Sequence, residues 1–114
     1  MHELSIVLSI ADIAKKEVQK ANAHSVEQIE LDIGTLAGVQ FDSLDFVWEP
    51  GTKGTVLENS KRLINRIQAE AECLECGTQF KKTLVYDPCP KCSGFFHNLK
   101  KGKELIVKRL ILNS

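Results

Sequence analysis

The chain has 114 residues, which is enough for one domain of ordinary size with a small inserted module but not for two full cores. Hydrophobic residues make up 43% and charged residues 26%, a composition that can bury a core and excludes an intrinsically disordered chain. Fifteen basic residues balance fifteen acidic ones, and this zero net charge removes the global electrostatic argument for nucleic acid as the main partner.

The first half of the chain predicts a helix, a strand and a second helix. Residues 3–22 carry apolar side chains at helical spacing in two rows, so we expect this helix to be covered on more than one side. Residues 26–33 alternate between apolar and polar side chains, which is the period of a half-buried strand. Apolar residues return to helical spacing over 41–48, and we expect Pro50 and Gly51 to close this shorter helix.

The second half predicts two strands on either side of a cysteine-rich segment. Residues 61–72 alternate as a second long strand, and residues 104–114 are aliphatic on both faces, as in a strand with neighbours on each side. We therefore predict an α+β fold, a small mixed sheet with two helices, carrying an inserted zinc-ribbon-like module. The predicted domains are 1–72 with 103–114, and the inserted 73–102.

The cellular compartment decides how the cysteines are interpreted. No apolar run approaches the ~20 residues that span a bilayer, and the first residues lack the basic region and cleavage site of a signal peptide. We expect a soluble, cytosolic protein with no membrane partner. In a reducing compartment, four cysteines are metal ligands or redox groups more often than structural disulfides.

The cysteine spacing is the strongest signal in the sequence. Cys73 and Cys76 form one C-x-x-C knuckle, Cys89 and Cys92 form another, and twelve residues separate the two. A tetrahedral zinc site needs four soft thiolates, and each knuckle supplies two of them from one tight turn. Such a site leaves no coordination position for a substrate water, so we predict a structural zinc rather than a catalytic one.

Three other interpretations of the knuckles stay open: a rubredoxin-like iron site, a pair of redox-active disulfides, and a nucleic-acid-binding or regulatory zinc ribbon. A thioredoxin-type motif stands at a helix N-terminus in a βαβ unit, which neither motif does in the predicted order. The ribbon would use a locally basic, aromatic segment, although lysines and aromatics also serve as the surface and minimal core of small zinc modules. The residues concerned are Lys81, Lys82, Lys91, Lys100, Lys101, Lys103, Phe80, Tyr86, Phe95 and Phe96.

The first three residues, Met1, His2 and Glu3, form a second candidate metal site. They offer an amine, two backbone amides and an imidazole within a few bonds of one another. If a metal displaces the amide protons, these nitrogens can close five- and six-membered chelate rings in a square-planar arrangement that suits Ni(II) or Cu(II). Binding has to depend on pH because the amine and the imidazole must lose protons first. Taken alone, however, a terminal histidine is more often simply exposed.

Six segments, taken in order, closely resemble the HypA family of hydrogenase maturation nickel chaperones. They are MHELSI opening a helix, LDIGTLAGV, the short helix FDSLDFVWE, a Gly-Thr near Thr55, the paired knuckles, and the closing GKELIVKRL. The resemblance runs over essentially the whole chain. It implies a nickel-binding α/β domain with an inserted zinc domain that delivers Ni(II) to the [NiFe]-hydrogenase large subunit, together with a maturation GTPase of the HypB family. In some organisms such proteins also serve urease.

The resemblance also implies a role for individual residues. The nickel donors would be the Met1 amine, the His2 amide and imidazole, and the Glu3 amide or carboxylate. The zinc ligands would be Cys73, Cys76, Cys89 and Cys92. One departure is visible, because relatives usually have Gly-Ser after the second knuckle and this chain has Ser93 and Gly94.

Nothing in the sequence predicts catalysis. The chain contains no P-loop, nucleophile elbow, H-E-x-x-H or dinucleotide fingerprint, so we expect no enzymatic activity and assign no catalytic residue. His97, next to two phenylalanines, is expected at the surface or in a minor core. A homodimer stays open, since the two-sided first helix and the insertion hinges are compatible with association or strand exchange.

Overall fold

A computed structural model describes residues 2–114 of the chain. The described residues form two compact units. The first holds the residues up to Leu31 with Val39–Ile64 and Ile106–Ser114, and the second holds Asp32–Gly38 and Asn65–Leu105. The predicted domain boundaries near residues 72 and 103 remain a prediction.

Within residues 2–114, two helices and six strands make up the regular structure, which confirms the predicted α+β class. Strands β2, β1 and β6 form one three-stranded sheet in that order, and β4, β3 and β5 form a second. None of the described helices is long and apolar enough to cross a membrane. The elements are α1 (Glu3–Lys20), β1 (Ser25–Gly34), α2 (Phe41–Thr52), β2 (Lys61–Ile67), β3 (Glu70–Cys73), β4 (Gln79–Lys81), β5 (His97–Lys101) and β6 (Leu105–Asn113).

The main core lies between the two helices and β1. Val7, Ile10 and Ala14 of α1 are buried at helical spacing, and the apolar residues of β1 are buried at every second position from Ile29 to Ile33. The periods of 3.6 and 2 in the sequence therefore mark the buried faces correctly. Both predicted apolar rows of α1 are only partly covered, because Leu8 of the first row and Ile13 of the second remain about half exposed.

Helix α2 does not end at Pro50, as the sequence suggested, but continues to Thr52. Proline in the last turn removes a single helical hydrogen bond, which a helix end tolerates better than its interior. Thr52 closes the turn, since its hydroxyl donates to the carbonyl of Trp48 at 2.8 Å. Gly51 lets α1 approach closely, because a Cβ at this position would lie 2.8 Å from Cγ1 of Val7.

The predicted long strand over 61–72 is in fact two strands that belong to different sheets. The break falls at the fully buried Ala69. Its N–H donates to the hydroxyl of Thr35 at 3.0 Å, and its carbonyl accepts from the N–H of Lys82 at 2.9 Å. The N–H and carbonyl of Ala69 are therefore hydrogen-bonded outside both sheets. The alternation of apolar and polar residues continues across Ala69, so the sequence pattern alone does not reveal that the strand breaks there.

Two glycines pack beside this break. A Cβ on Gly34 would overlap the backbone carbonyl of Gly102, and a Cβ on Gly102 would overlap Ala69. The Gly102 carbonyl accepts from the N–H of Leu36 at 2.8 Å, and Gly102 has φ of 123°, a conformation that L side chains rarely adopt. Only residues without a large side chain fit where these segments meet.

Strand β6 also differs from its prediction. Its aliphatic residues on both faces suggested neighbours on each side, but β6 is the edge of its sheet, and its exposed pattern agrees with that position. A sequence that is hydrophobic on both faces of a strand does not tell whether the strand has neighbouring strands on both sides or lies at the edge of its sheet.

We expect Gly34→Ala to lower the free energy of unfolding by about 3 kcal/mol or more, because the new Cβ meets backbone atoms that cannot rotate away. Urea denaturation measures this loss. Gly54→Ala is the matched control, since Gly54 has φ of 78° but open space around a Cβ, so only backbone strain of about 1 kcal/mol applies. Equal losses in the two variants would contradict a steric role for Gly34.

Candidate metal centre

The three strands of the second sheet hold the two knuckles. Cys73 is the last residue of β3 and lies opposite His97 of β5 in the antiparallel register. Its N–H donates to the carbonyl of Thr78 and its carbonyl accepts from the N–H of Gly77, both at 2.9 Å. In the second knuckle, Cys89 makes the same two bonds with Gly94 and Ser93, also at 2.9 Å. The two knuckles are therefore copies of one turn.

These turns bring all four sulfur atoms together. The Sγ atoms of Cys73 and Cys92 are 3.5 Å apart, those of Cys76 and Cys89 are 3.6 Å apart, and all four lie within 4.8 Å of one another. The thiols are free rather than joined in disulfides. Tetrahedral zinc with Zn–S bonds of about 2.3 Å requires sulfur atoms about 3.8 Å apart, so the cluster fits the donor type, number and spacing of such an ion.

Burial and backbone donors distinguish the thiols. Cys73 and Cys89 are buried, whereas Cys76 and Cys92 are exposed. Within the second knuckle, the N–H of Lys91 donates to Sγ of Cys89 and the N–H of Gly94 donates to Sγ of Cys92, each at 3.4 Å. Backbone donors of this kind stabilise thiolates and orient them toward a bound cation.

The residue after each knuckle has a left-handed backbone. Gly77 has φ of 78° and Ser93 has φ of 64°, so Ser93 fills the role that a glycine fills in the first knuckle. The Ser-Gly order noted in the sequence therefore preserves the turn, but it places a side chain where glycine is favoured. A Cβ at Gly94 would overlap the carboxylate of Glu75, which can move away, and would lie 3.2 Å from the Sγ of Cys92.

The thiols differ in their affinity for protons. The hydroxyl and backbone of Thr78, with Sγ and Oγ1 3.2 Å apart, lower the pKa of Cys76 to about 6. At Cys92 the Gly94 N–H acts to lower the pKa, but the neighbouring thiol of Cys73, partial burial and the other sulfurs raise it to about 12. Without a metal, Cys76 therefore ionises at a lower pH than Cys92, and a bound cation would favour the thiolate form of both.

Lys82, counted among the basic surface residues of the sequence, is instead a buried part of this unit. It is 7% exposed, and its Nζ donates to the carbonyl of Val85 at 2.6 Å and lies 3.2 Å from Nδ1 of His97. The Nε2 of His97 donates to the carbonyl of Gly94 at 2.8 Å, so Nδ1 is the acceptor for Lys82. The alternation along β4 could have revealed this, since Lys82 follows the half-buried Phe80 by two residues.

The N-terminal candidates are described only in part. Met1 lies outside the described residues. His2 is exposed and immediately precedes α1, and its side chain makes no capping hydrogen bond to the helix. Glu3 is 8% exposed, and its Oε2 accepts a hydrogen bond of 3.2 Å from the N–H of Gln40, the residue before α2. The His2 imidazole is thus exposed and does not cap the helix, whereas the Glu3 carboxylate is bound by a backbone N–H.

Comparisons with known proteins agree over nearly the whole chain. Residues 1–112 match the family model described as "Hydrogenase/urease nickel incorporation, metallochaperone, hypA". The hydrogenase maturation factor HypA of Parabacteroides distasonis is 37% identical over 112 residues, 98% of this chain and 97% of the relative. The protein of the same name from Geotalea uraniireducens is 40% identical over 110 residues, covering 96% and 97%.

Solved structures give the same result for the fold. The solution structure of the nickel metallochaperone HypA from Helicobacter pylori superposes with a TM-score of 0.70 at 25% sequence identity. The match covers 100% of this chain and 99% of that one. The fold of two helices and small mixed sheets is therefore similar to that structure, and in this chain it carries a four-cysteine cluster, as the sequence predicted.

We expect Ser93→Gly to raise the free energy of unfolding by about 1 kcal/mol, because glycine accepts φ of 64° without the steric cost that serine bears. Gly77→Ser is the matched variant and should lower it by a similar amount, since a Cβ there meets no atom within 4 Å. Chemical denaturation of the metal-loaded protein measures both. A loss of stability in Ser93→Gly would contradict the equivalence of the two turns.

The lowered pKa of Cys76 predicts selective alkylation of the metal-free protein. We expect Cys76 to react with iodoacetamide at half its maximal rate near pH 6, while Cys92 stays protonated and slow to well above neutral pH. Thr78→Val removes the hydroxyl and should move the Cys76 profile toward alkaline pH. Peptide mass spectrometry after timed labelling resolves the four sites. Identical alkaline profiles for all four thiols would contradict this assignment.

Proposed function

The chain belongs to the HypA family of nickel incorporation metallochaperones for hydrogenase maturation, and from that premise we propose that it carries one Ni(II) ion at its N-terminus. Members of this family carry a metal and are not enzymes. The proposal is that the ion is cargo, taken up at the N-terminal residues and released to a [NiFe]-hydrogenase large subunit. A GTPase of the HypB family would assist, and urease would be the second client.

The observation that carries the N-terminal site is the state of His2. Its imidazole is exposed and makes no capping bond to α1, so a metal can recruit it without breaking a helix-capping hydrogen bond. The first N–H groups of a helix have no acceptor within that helix. The amides of His2 and Glu3 can therefore lose their protons to a metal without the loss of a helical hydrogen bond. Together with the Met1 amine, they complete a set of nitrogen donors suited to Ni(II).

We assign the Glu3 carboxylate a positioning role and leave only the Glu3 amide as a candidate ligand. The carboxylate is nearly buried and accepts the Gln40 N–H at the start of α2, which ties the first turn of α1 to the second helix. A carboxylate is also favourable near a helix N-terminus, where N–H groups carry partial positive charge. Recruiting it to nickel would leave the Gln40 N–H without this acceptor.

The four cysteines are proposed to hold a structural zinc ion. Cys73, Cys76, Cys89 and Cys92 supply four thiols at fitting distances, and zinc would supply the positive charge that lets all four ionise together. A zinc ion held by all four thiolates would have no free coordination position for a substrate. The zinc would cross-link the two knuckles, so its removal should loosen the turns that it joins.

The alternative of a nucleic-acid-binding ribbon is weakened by the state of its lysines. Lys82 is buried against the Val85 carbonyl. Lys101 and Lys100 lie 3.0 Å and 3.9 Å from carboxylate oxygens of Glu70 and Glu72. Half of the six lysines named for a basic surface are thus engaged within the unit, which supports a carrier over a phosphate-binding module.

A nickel titration of the untagged protein with its native Met1 tests the proposal. We expect near-stoichiometric binding by calorimetry, weakened at least about tenfold in His2→Ala and in a chain extended before Met1. Both variants should keep their zinc, because the thiol cluster is unchanged. Glu3→Gln keeps the backbone amide and should retain nickel affinity within about threefold, the usual scatter of a change outside the ligand set.

Equal nickel binding by the native and His2→Ala proteins would refute the N-terminal site. Tight binding that is lost in Glu3→Gln but kept in His2→Ala would make the carboxylate the ligand instead. Zinc analysis of each sample keeps these outcomes separate from a failure of the cysteine cluster.

A further inference from the structure

Strand β6 leaves one side of its backbone without a strand partner. It ends the order β2, β1, β6, and among residues 2–114 no strand pairs with its outer side. On its inner side it runs antiparallel to β1, since the N–H of Gly34 donates to the carbonyl of Glu104 and the N–H of His24 to that of Asn113, both at 2.8 Å. An edge of this kind is a template for pairing with another chain.

Both edges of the sheet carry basic residues, but the edge at β6 is longer and exposes more aliphatic side chains. Strand β2 has seven residues and places a charge at Lys61, Arg62 and Arg66. Strand β6 has nine residues, and three of its aliphatic side chains are 40% to 51% exposed. Long, apolar, exposed edges are uncommon in monomeric proteins because they pair and aggregate. The exposed residues are Leu105, Ile106 and Ile111.

A groove runs beside this edge. It has a volume of about 520 Å³ and lies between β6 and the C-terminal half of α1. Ile13, Leu110 and Leu112 give it apolar walls, and Ile13 is 47% exposed. A strand added to β6 would place every second side chain toward this groove, because side chains alternate between the two faces of a sheet.

The basic residues of β6 indicate which kind of peptide would bind at this edge. Lys108 and Arg109, in the middle of β6, lie 3.7 and 3.8 Å from the same carboxylate, that of Glu30 on β1. One carboxylate for two cations leaves a positive surplus at the edge. The other lysine of the groove, Lys20, is 3.4 Å from Glu17 and adds no surplus.

The same charges argue against a second copy of this chain. Two β6 strands that pair over their full length about a twofold axis run antiparallel with the axis at the middle of the strand, which brings Lys108 and Arg109 of one copy next to the same pair in the other. Like charges directly opposite in a sheet are destabilising. A partner strand with carboxylates at these positions gains the attraction that a second copy lacks.

We propose that β6 and the groove beside it bind an extended segment of another protein, aliphatic at alternate positions and acidic between them, which adds to the sheet as a fourth strand. The backbone of β6 supplies affinity through ladder hydrogen bonds. The groove accepts the aliphatic side chains, and Lys108 and Arg109 pair with the carboxylates. The surface is independent of the nickel donors and can be tested without nickel.

Leu112 allows the backbone contribution to be isolated. Because the Asn113 carbonyl faces β1, the N–H of the preceding residue faces outward along the ladder. Leu112→Ala removes only the side chain, whereas Leu112→Pro also removes the outward N–H. A peptide held by strand addition should therefore bind Leu112→Pro at least about threefold more weakly than Leu112→Ala, the value of one neutral hydrogen bond.

The probe is a synthetic seven-residue peptide that alternates valine with glutamate, and its control carries lysine in place of glutamate. We expect the glutamate peptide to shift the amide resonances of β6 and of the end of α1 in the full-length, zinc-loaded protein, and the lysine peptide to shift none. Arg109→Glu should weaken binding at least about tenfold. Lys61→Glu, the same charge change on the other edge strand, should leave binding within about twofold.

Three results would overturn the proposal. The first is equal binding of the glutamate and lysine peptides, and the second is equal affinity in Arg109→Glu and Lys61→Glu. The third is a dimer in sedimentation without peptide that Leu112→Pro dissociates, which would make a second copy the occupant. Amide spectra of each variant without peptide verify that it is folded, and nickel titration of the same samples keeps this test separate from the N-terminal site.

Discussion

Three small residues determine where one sheet ends and the other begins. Gly34, Ala69 and Gly102 come so close that a Cβ on either glycine would overlap its neighbour. Ala69 uses both backbone groups there, one with the Thr35 hydroxyl and one with the Lys82 N–H, so the chain can leave a sheet without leaving a buried amide unpaired. The strands that carry the cysteines start from this point.

The fold places the four cysteine side chains close together, but it does not by itself provide the positive charge that four thiolates need. Hydrogen bonds within each knuckle fix the backbone, and the strand pairing places Cys73 opposite His97. The neighbouring thiols nevertheless disfavour ionisation of Cys92, whose pKa they help to raise, whereas hydrogen bonds from Thr78 lower the pKa of Cys76. A divalent cation favours the thiolate form, which is why ionisation, metal binding and folding of such turns are linked.

The sequence predicts what is local and periodic. The spacing of the cysteines, the helical rows of α1 and the alternation in β1 each depend on residues close together in the chain. The break at Ala69 was not predictable, because its partners at Thr35 and Lys82 are distant in sequence. The edge position of β6 was missed for a similar reason, since hydrophobicity reports how much a strand can bury but not which strand lies beside it.

The two proposed metal sites differ in how far they would enclose their ions, and a metal carrier needs one site from which its ion can leave. A zinc ion at the cysteine cluster would be surrounded by thiolates from two hydrogen-bonded turns, two of the four being buried, so we expect such an ion to stay with the protein. The proposed nickel donor His2 is exposed and immediately precedes α1, so its imidazole is open to solvent rather than enclosed by the fold. The Glu3 carboxylate accepts the Gln40 N–H and so fixes the first turn of α1, and in the proposed site it would not be a nickel ligand. Helix α1 can therefore stay fixed to the fold while the proposed nickel site stays accessible to solvent. Release of the nickel ion would then not require the protein to unfold.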